Sequence, residues 1–387
     1  MFSVRTINTI SPVIRESLTE TSYTIADDIL NPDAIIVRSA NLLEMPFPEN
    51  LLAVGRAGAG YNNIPIKECS KRGVVVFNTP GANANAVMEL AIAGLLLASR
   101  DIIGGIQWAQ GLQGQNDVAA LVEKGKSQFI GPEIAGKTLG VMGLGAVGGL
   151  VANAASALRM KVVGFDPYLS VDAAWRLSRR IIHATSQNEM LEQSDYVSIH
   201  APMTPDTKGM VNREFLFHCK DGVVLMNLAR GELVDNTAIK EALVSGKVRR
   251  YVTDFPCDEL LGVPGILTIP HLGASTPESE ENCAAMVAEQ IRDYLERGDI
   301  THSVNLPDCV LPRSTAHRIT AIHQNIPNMI GQLTTVLAAA GLNIENMINK
   351  SRGDMGYSVF DLADAAGASV LSALRNIKGV IRIRSVF

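Results

Sequence analysis

Residues 140–149 read GVMGLGAVGG, and Gly143, Gly145 and Gly148 take the spacing G-x-G-x-x-G. Glycine-rich turns are common, so the flanks decide the reading. TLGVM (138–142) before the glycines is a strand candidate, and VGGLVANAASALRM (147–160) after them is a helix candidate. Glycines between strand and helix allow a tight turn and close approach of a ligand to the backbone. The helix N-terminus then offers free N–H groups and a positive dipole end to a pyrophosphate. KVVGFD follows and ends in Asp166, eighteen residues past Gly148. A carboxylate there accepts both ribose hydroxyls and repels a 2′-phosphate, which points to NAD rather than NADP.

The same rhythm continues outward. Strand-like runs TLGVMG, KVVGFD, YVSIHAP, GVVLMNLA, RYVTDF and ILTIPH are apolar on both faces and separated by helical stretches, which predicts a doubly wound α/β sheet. The fingerprint lies near residue 143, so another domain precedes it. DAIIVRS, LLAVGRAG and GVVVFNTP read as strands of a small α/β domain, followed by a long helix from about Asn83 to Ile102. After Pro277, EENCAAMVAEQIRDYLERG is helical. THSVNLPDCVLPRS (301–314) has prolines and no periodicity and reads as a linker and hinge. The last seventy residues alternate as βαββαβ, a ferredoxin-like module. The expected domains are 1–90 with 279–305 (discontinuous, substrate-binding), 91–278 (Rossmann, NAD-binding) and 315–387 (regulatory).

Bulk properties bound the function. The 387 residues are 47% hydrophobic, 19% charged and only 5% aromatic, enough for a large aliphatic core. A net charge of -5 argues against nucleic acid as a partner. Five scattered cysteines with no C-x-x-C read as reduced thiols, and the N-terminus has no long apolar run, so a cytoplasmic protein is expected. No metal site and no membrane partner are assigned.

Ligands of doubly wound sheets bind beyond the carboxyl ends of the strands. Polar residues at those ends are therefore the catalytic candidates. Arg230 follows VVLMNLA and can hold a carboxylate bidentately. Asp254 ends RYVTDF, with Glu259 five residues on. His271 follows ILTIP and can take a hydroxyl proton as hydride leaves the adjoining carbon.

The glycines, Asp166, LARGELVD, HLGAST and GANANAVMELAIAGLLLASR together resemble the D-2-hydroxyacid dehydrogenase family over residues 1 to about 305. By that resemblance Arg230 binds the substrate's carboxylate and keto oxygen, His271 is the acid/base, and Glu259 is hydrogen-bonded to His271. Leu260 stands where the family often has proline, which leaves Asp258 open as the alternative. The resemblance places the cofactor on Thr79, Gly143, Gly145, Ala146, Val147, Gly148, Asp166, His200, Ala201, Pro202, Leu228, Ala229, Arg230, Asp254, His271, Gly273 and Ala274. Asp254 would hold the nicotinamide carboxamide. Substrate contacts would come from Arg38, Ser39 and Asn83, with Ala57 and Gly58 offering backbone N–H groups. Family members that bind a phosphate often carry R-S-R; here Ala40 replaces the second arginine, and Lys126 is the substitute.

The tail, about Ala316 to Phe387, resembles an ACT domain, a regulatory module that binds amino acids between paired copies. HQNIPNMIGQLTTVLAAAGLNIENM is similar to the serine-binding segment of bacterial phosphoglycerate dehydrogenases, with His323, Asn325 and Asn343 as effector residues. Dehydrogenase and tail together imply NAD-dependent oxidation of D-3-phosphoglycerate, the first step of L-serine biosynthesis, with feedback by L-serine in a homo-oligomer. A chain ending near Pro312 is then expected to stay active and lose the serine response. Oxidation of another 2-hydroxy acid (2-hydroxyglutarate, glycerate or lactate) is the alternative. A NAD-sensing corepressor on the same fold is a third reading, against which the ACT-like tail counts.

Overall fold

A computed structural model describes residues 1–386. The chain folds as two compact units, residues 1–83 with 277–387 and residues 84–276.

The first unit holds two sheets. Strands β1 (Phe2–Ile7), β2 (Tyr23–Ala26), β3 (Ala34–Val37), β4 (Ala53–Arg56) and β5 (Val75–Phe77) form a parallel sheet in the order β2-β1-β3-β4-β5. β3 and β5 are wholly buried, as their continuous apolar runs require. The sequence pattern left β1 and β2 unread, because FSVRTI and YTIA mix polar and apolar residues and only one residue of each is buried. The long helix Pro277–Arg297 packs Cys283, Ala284, Val287, Ala288 and Ile291 into the core of this sheet.

The second unit contains β6 (Thr138–Met142), β7 (Lys161–Phe165), β8 (Ile182–His183), β9 (Tyr196–Ile199), β10 (Val223–Asn227), β11 (Val248–Thr253) and β12 (Ile266–Thr268). All pair in parallel in the order β12-β11-β10-β9-β6-β7-β8. The order reverses between β6 and β9, the switch point of a doubly wound sheet. The helix expected from Asn83 to Ile102 spans Ala84–Ser99 and stops there. A second helix, Ile102–Gln110, starts anew with the Asp101 side chain capping Gly104 N–H.

The tail belongs to the first unit. β13 (His317–Gln324), β14 (Ile344–Arg352), β15 (Met355–Leu362) and β16 (Val380–Val386) form an antiparallel sheet in the order β14-β15-β13-β16. One face packs Ile319, Ala321, Phe360 and Ile383 on the tail's own helices. The other face puts Ile322, Tyr357 and Val359 into one core with Val4, Tyr294 and Leu295. β13 is therefore buried on both sides from Arg318 to His323.

Residues 301–314 are not a hinge, which corrects the expectation above. Ser303, Asn305, Leu306, Cys309 and Leu311 are buried. Val304 N–H donates to Val76 O, and the Asn305 side chain accepts from Val76 N–H and donates to Val74 O. The segment lacks periodicity because its contacts are edge hydrogen bonds to β5, not an alternating apolar face.

Candidate functional site

In the second unit the glycine turn joins β6 to the helix Ala146–Ala157. A Cβ on Gly143 would lie 2.8 Å from His200 O, and one on Gly148 would lie 1.9 Å from Gly143 O. Side chains at either place would open the turn. Gly145 has no heavy atom within 4 Å of where a Cβ would be, so the turn leaves its backbone bare at the helix N-terminus, beside Ala146 and Val147. Asp166, after β7, accepts Leu144 N–H through Oδ2 (2.8 Å) and Tyr168 N–H through Oδ1 (2.9 Å). The carboxylate is thus fixed beside the glycines.

β9 leads into His200, Ala201 and Pro202. His200 N–H donates to Met142 O, and the ring Nε2 is 2.8 Å from Ser198 Oγ. Burial pushes the His200 imidazole down to about 4, so it is uncharged at neutral pH. β10 delivers Leu228, Ala229 and Arg230. Asn227, fully buried, shapes this loop: its Oδ1 accepts Ala229 N–H and its Nδ2 donates to Arg230 O. Arg230 is exposed, with Nη1 donating to Ala229 O.

β11 ends at Thr253, and Asp254 follows it, 1% exposed with no partner for Oδ1. Burial raises its pKa, offset in part by the charges of His271 and Arg230. Residues from three adjoining strand ends are therefore within electrostatic reach of each other. His271 is exposed and packs against the Phe255 ring, with centroids 5.0 Å apart. Gly273, just beyond, is buried, and a Cβ there would lie 3.2 Å from Val87 Cγ2 and 3.5 Å from Asp254 Oδ2; Ala274 follows.

Glu259 is not on His271, contrary to expectation. Its Oε2 takes Asn236 Nδ2 at 3.4 Å and lies 3.9 Å from Lys240 Nζ. Both partners belong to the helix Asn236–Val244. Leu260 explains the path: it is 3% exposed in the core of the unit, and its N–H donates to Cys257 O, which turns residues 257–261.

In the first unit Arg38 follows β3, and its Nη2 is 2.6 Å from Glu280 Oε1. Ser39 and Ala40 N–H groups both donate to Asn8 Oδ1, which fixes the loop. Ala57 and Gly58 do not present open N–H groups, a second correction. Ala57 donates to Val37 O and Gly58 to Arg56 O, because the chain folds back tightly after β4. Thr79 is fully buried against the Cys283 thiol, and Asn83 is half-buried at the end of the segment. Lys126 lies in the other unit, exposed and paired with Glu123. Arg56, which the sequence reading passed over, is beside Arg38 instead: its Nε donates to Arg38 O at 3.0 Å. It is an arginine at a strand's carboxyl end, the same signal that picked out Arg230.

The tail's effector candidates separate. His323 is 2% exposed and faces inward, with Nδ1 on Gln324 O and Nε2 on Ser358 Oγ. Asn325 and Asn343 are exposed; Asn325 Nδ2 donates to Gly353 O in the turn between β14 and β15, and Asn343 Nδ2 donates to Glu345 Oε1 two residues on. A cleft of about 750 Å³ in the first unit, lined by Phe2, Ser22, Arg297, Asp299, Arg313 and Arg318 among others, contains none of the candidate residues. Among the described residues no helix is long and apolar enough to cross a membrane.

A doubly wound parallel sheet with a bare glycine turn at its switch point and a fixed carboxylate on the next strand is the frame of a dinucleotide-binding protein. Residues 92–273 match the family model described as D-isomer specific 2-hydroxyacid dehydrogenase, NAD binding domain. The D-3-phosphoglycerate dehydrogenase of Haemophilus influenzae is 30% identical over 352 residues, 87% of this chain and 82% of the relative. That of Bacillus subtilis is 34% identical over 318 residues, 80% of this chain. The chain spans only 58% of the length of that Bacillus relative, and 53% of its Mycobacterium leprae counterpart. The solved NAD+-bound 3-phosphoglycerate dehydrogenase of Entamoeba histolytica superposes with a TM-score of 0.61 at 25% identity, covering 79% of this chain and 98% of that one. The chain belongs to the D-isomer specific 2-hydroxyacid dehydrogenase family, and NAD is its cofactor. The residues fit that cofactor. Asp254 Oδ1 is a buried acceptor in want of a donor, Gly145 leaves backbone bare, and Asp166 is held ready for hydroxyls.

Proposed function

We propose that the chain oxidises D-3-phosphoglycerate to 3-phosphohydroxypyruvate, the entry step to L-serine. The observation that carries this reading is the presence of two separate arginine positions. Arg230 stands with His271 and Asp254 at the strand ends of one unit. Arg38 and Arg56 stand together in the other. D-3-phosphoglycerate carries two anionic groups, a carboxylate and a phosphate, and each unit by itself holds arginine at the carboxyl end of a strand. Arg230 holds the carboxylate and the C2 oxygen. His271 takes the proton from the C2 hydroxyl as the C–H bond breaks. NAD, when bound, supplies the hydride acceptor. Asp254 orients the carboxamide and favours the imidazolium that His271 becomes. Asp166 selects NAD by accepting the ribose hydroxyls and repelling a 2′-phosphate.

The relatives named as D-3-phosphoglycerate dehydrogenases support this substrate over lactate, glycerate or 2-hydroxyglutarate. We assign the tail to an amino-acid response, with Asn325 and Asn343 as the groups that reach L-serine and His323 as a tie between β13 and β15. The test is NADH formation by the purified chain on D-3-phosphoglycerate, D-glycerate, D-lactate and D-2-hydroxyglutarate, each with NAD and NADP, with and without L-serine. The reading expects turnover on the phosphorylated acid with NAD, and Asp166→Ala should lose NAD affinity and much of the preference over NADP. Equal turnover on D-lactate, or equal use of both cofactors by the wild type, rejects it.

A further inference from the structure

Arg38 already has an anion. Its Nη2 sits 2.6 Å from Glu280 Oε1, with the two side chains 38% and 42% exposed. Glu280 lies in the first turn of the long helix Pro277–Arg297, where unpaired N–H groups and the helix dipole favour a carboxylate whether or not Arg38 is near. Arg38 is held from its own side, through the Arg56 Nε bond to its carbonyl oxygen. Cys283, one turn beyond Glu280, is pushed up by burial, and the charges of Arg56 and Arg38 partly offset that. The two guanidinium groups and the start of the helix therefore form one electrostatic cluster inside a single unit. An incoming anion at Arg38 meets not a bare cation but a neutral pair with a carboxylate at contact distance.

We propose that Glu280 is an internal counter-charge that sets the charge selectivity of the Arg38 position, yielding Arg38 to a doubly charged phosphate and keeping it from weaker anions. This rests on the reading above that Arg38 receives the phosphate. A phosphate presents more charge and more acceptor oxygens to a guanidinium than a carboxylate does, so it displaces Glu280 while a singly charged group does not. Glu280 pairs with Arg38 and is assigned neither an acid/base nor a cofactor role, so its effect belongs in KM and not in kcat.

The experiment compares wild type, Glu280→Gln and Glu280→Asp with D-3-phosphoglycerate and D-glycerate. Glu280→Gln keeps the size and removes the charge. It is expected to lower KM for the phosphorylated acid roughly 2- to 5-fold, the range of an exposed ion pair. It should leave kcat and the KM for D-glycerate unchanged, and Glu280→Asp should restore the wild-type values. An unchanged or raised KM for D-3-phosphoglycerate in Glu280→Gln overturns the proposal, because Glu280 would then be idle or would serve to orient Arg38. Should the wild type not turn over D-3-phosphoglycerate, the functional reading fails, and inorganic phosphate decides the present question alone. Thermal unfolding titrated with phosphate should reach its midpoint at lower phosphate in Glu280→Gln than in wild type, and Arg38→Ala/Glu280→Gln should lose the response. Coincident midpoints reject the counter-charge.

Discussion

Asp254 concentrates the tension between stability and chemistry in one residue. Its carboxylate is buried without a partner for Oδ1, and burial raises its pKa. A group whose folded pKa lies above its unfolded value stabilises the fold below the unfolded pKa and loses that contribution as pH rises through the folded one. Asp254→Asn should therefore gain stability over wild type, by about 1 kcal/mol at neutral pH, and the gain should shrink as pH falls through the raised pKa of Asp254 toward the ordinary carboxylate value. Melting curves from pH 4 to 8 measure this; a gain that grew toward acid would refute it. The variant should also bind NAD more weakly. Cysteine chemistry is equally local. Burial pushes Cys69, Cys219 and Cys309 up to about 12 and raises Cys283, whereas Cys257 is exposed. A thiol reagent should label one cysteine of the native chain and none in Cys257→Ser. At this scale the sequence displayed the placement of Gly143, Gly148, Asp166 and Asp254, which follows from a local spacing or a strand end. It hid Asn8 and Glu280, because each acts by bonding a loop distant in sequence, and Asn227, because its bonds to Ala229 and Arg230 depend on how the loop turns after β10.

The long helix Pro277–Arg297 is the element that ties the first unit together. At 21 residues it is about 31 Å long. Its first turn carries Glu280, the partner of Arg38, and its last turn is capped by the tail. Arg384 Nη2 donates to Leu295 O, Arg318 Nη1 to Arg297 O, and Tyr357 Oη to Gly298 O. Three of the carbonyls a helix end leaves unpaired are thus met by side chains from another sheet. Gly298, at φ +73°, ends the helix, and a Cβ there would lie 2.6 Å from Thr320 Cγ2, so the close approach of β13 also requires glycine. Arg318 is wholly buried and forked onto Asp361 at 2.7 and 3.0 Å. Arg318 and the Ser314 backbone and hydroxyl outweigh burial and hold the Asp361 carboxyl below its ordinary value. A depressed pKa contributes stability above the unfolded value that is lost as pH falls through the folded one. Asp361→Asn removes the forked carboxylate and leaves the buried guanidinium only Asp299, 3.7 Å from Nη1, so it should cost about 3 kcal/mol in denaturant unfolding at neutral pH, less in acid. A loss below 1 kcal/mol would mean the pair is dispensable. The alternation IRIRSVF announced a strand, but nothing in it announced that Arg382 would reach the carbonyls of Leu51 and Arg72, or Arg384 that of Leu295.

At the scale of the molecule, the tail shares a core with the first sheet, and a chain ending near Pro312 is not a clean removal. It would uncover Val4, Tyr294 and Leu295 and strip the caps from the long helix. Such a chain should melt well below the full-length protein, so that loss of a serine response in it would not localise the effector site. Point substitutions at Asn325 and Asn343, both exposed, test that instead. Arg230, Asp254 and His271, to which hydride transfer is assigned by the proposal above, lie in residues 84–276, and Arg38 and Arg56 lie in the first unit. By that proposal the two positions carry different parts of one reaction. Steady-state kinetics of wild type, His271→Ala and Arg38→Ala on D-3-phosphoglycerate and D-glycerate test it most directly. His271→Ala should lower kcat roughly 10²–10⁴-fold on both acids. Arg38→Ala should raise KM for D-3-phosphoglycerate alone. Equal effects of Arg38→Ala on both acids would take the phosphate from Arg38, and normal turnover in His271→Ala would take the acid/base role from His271.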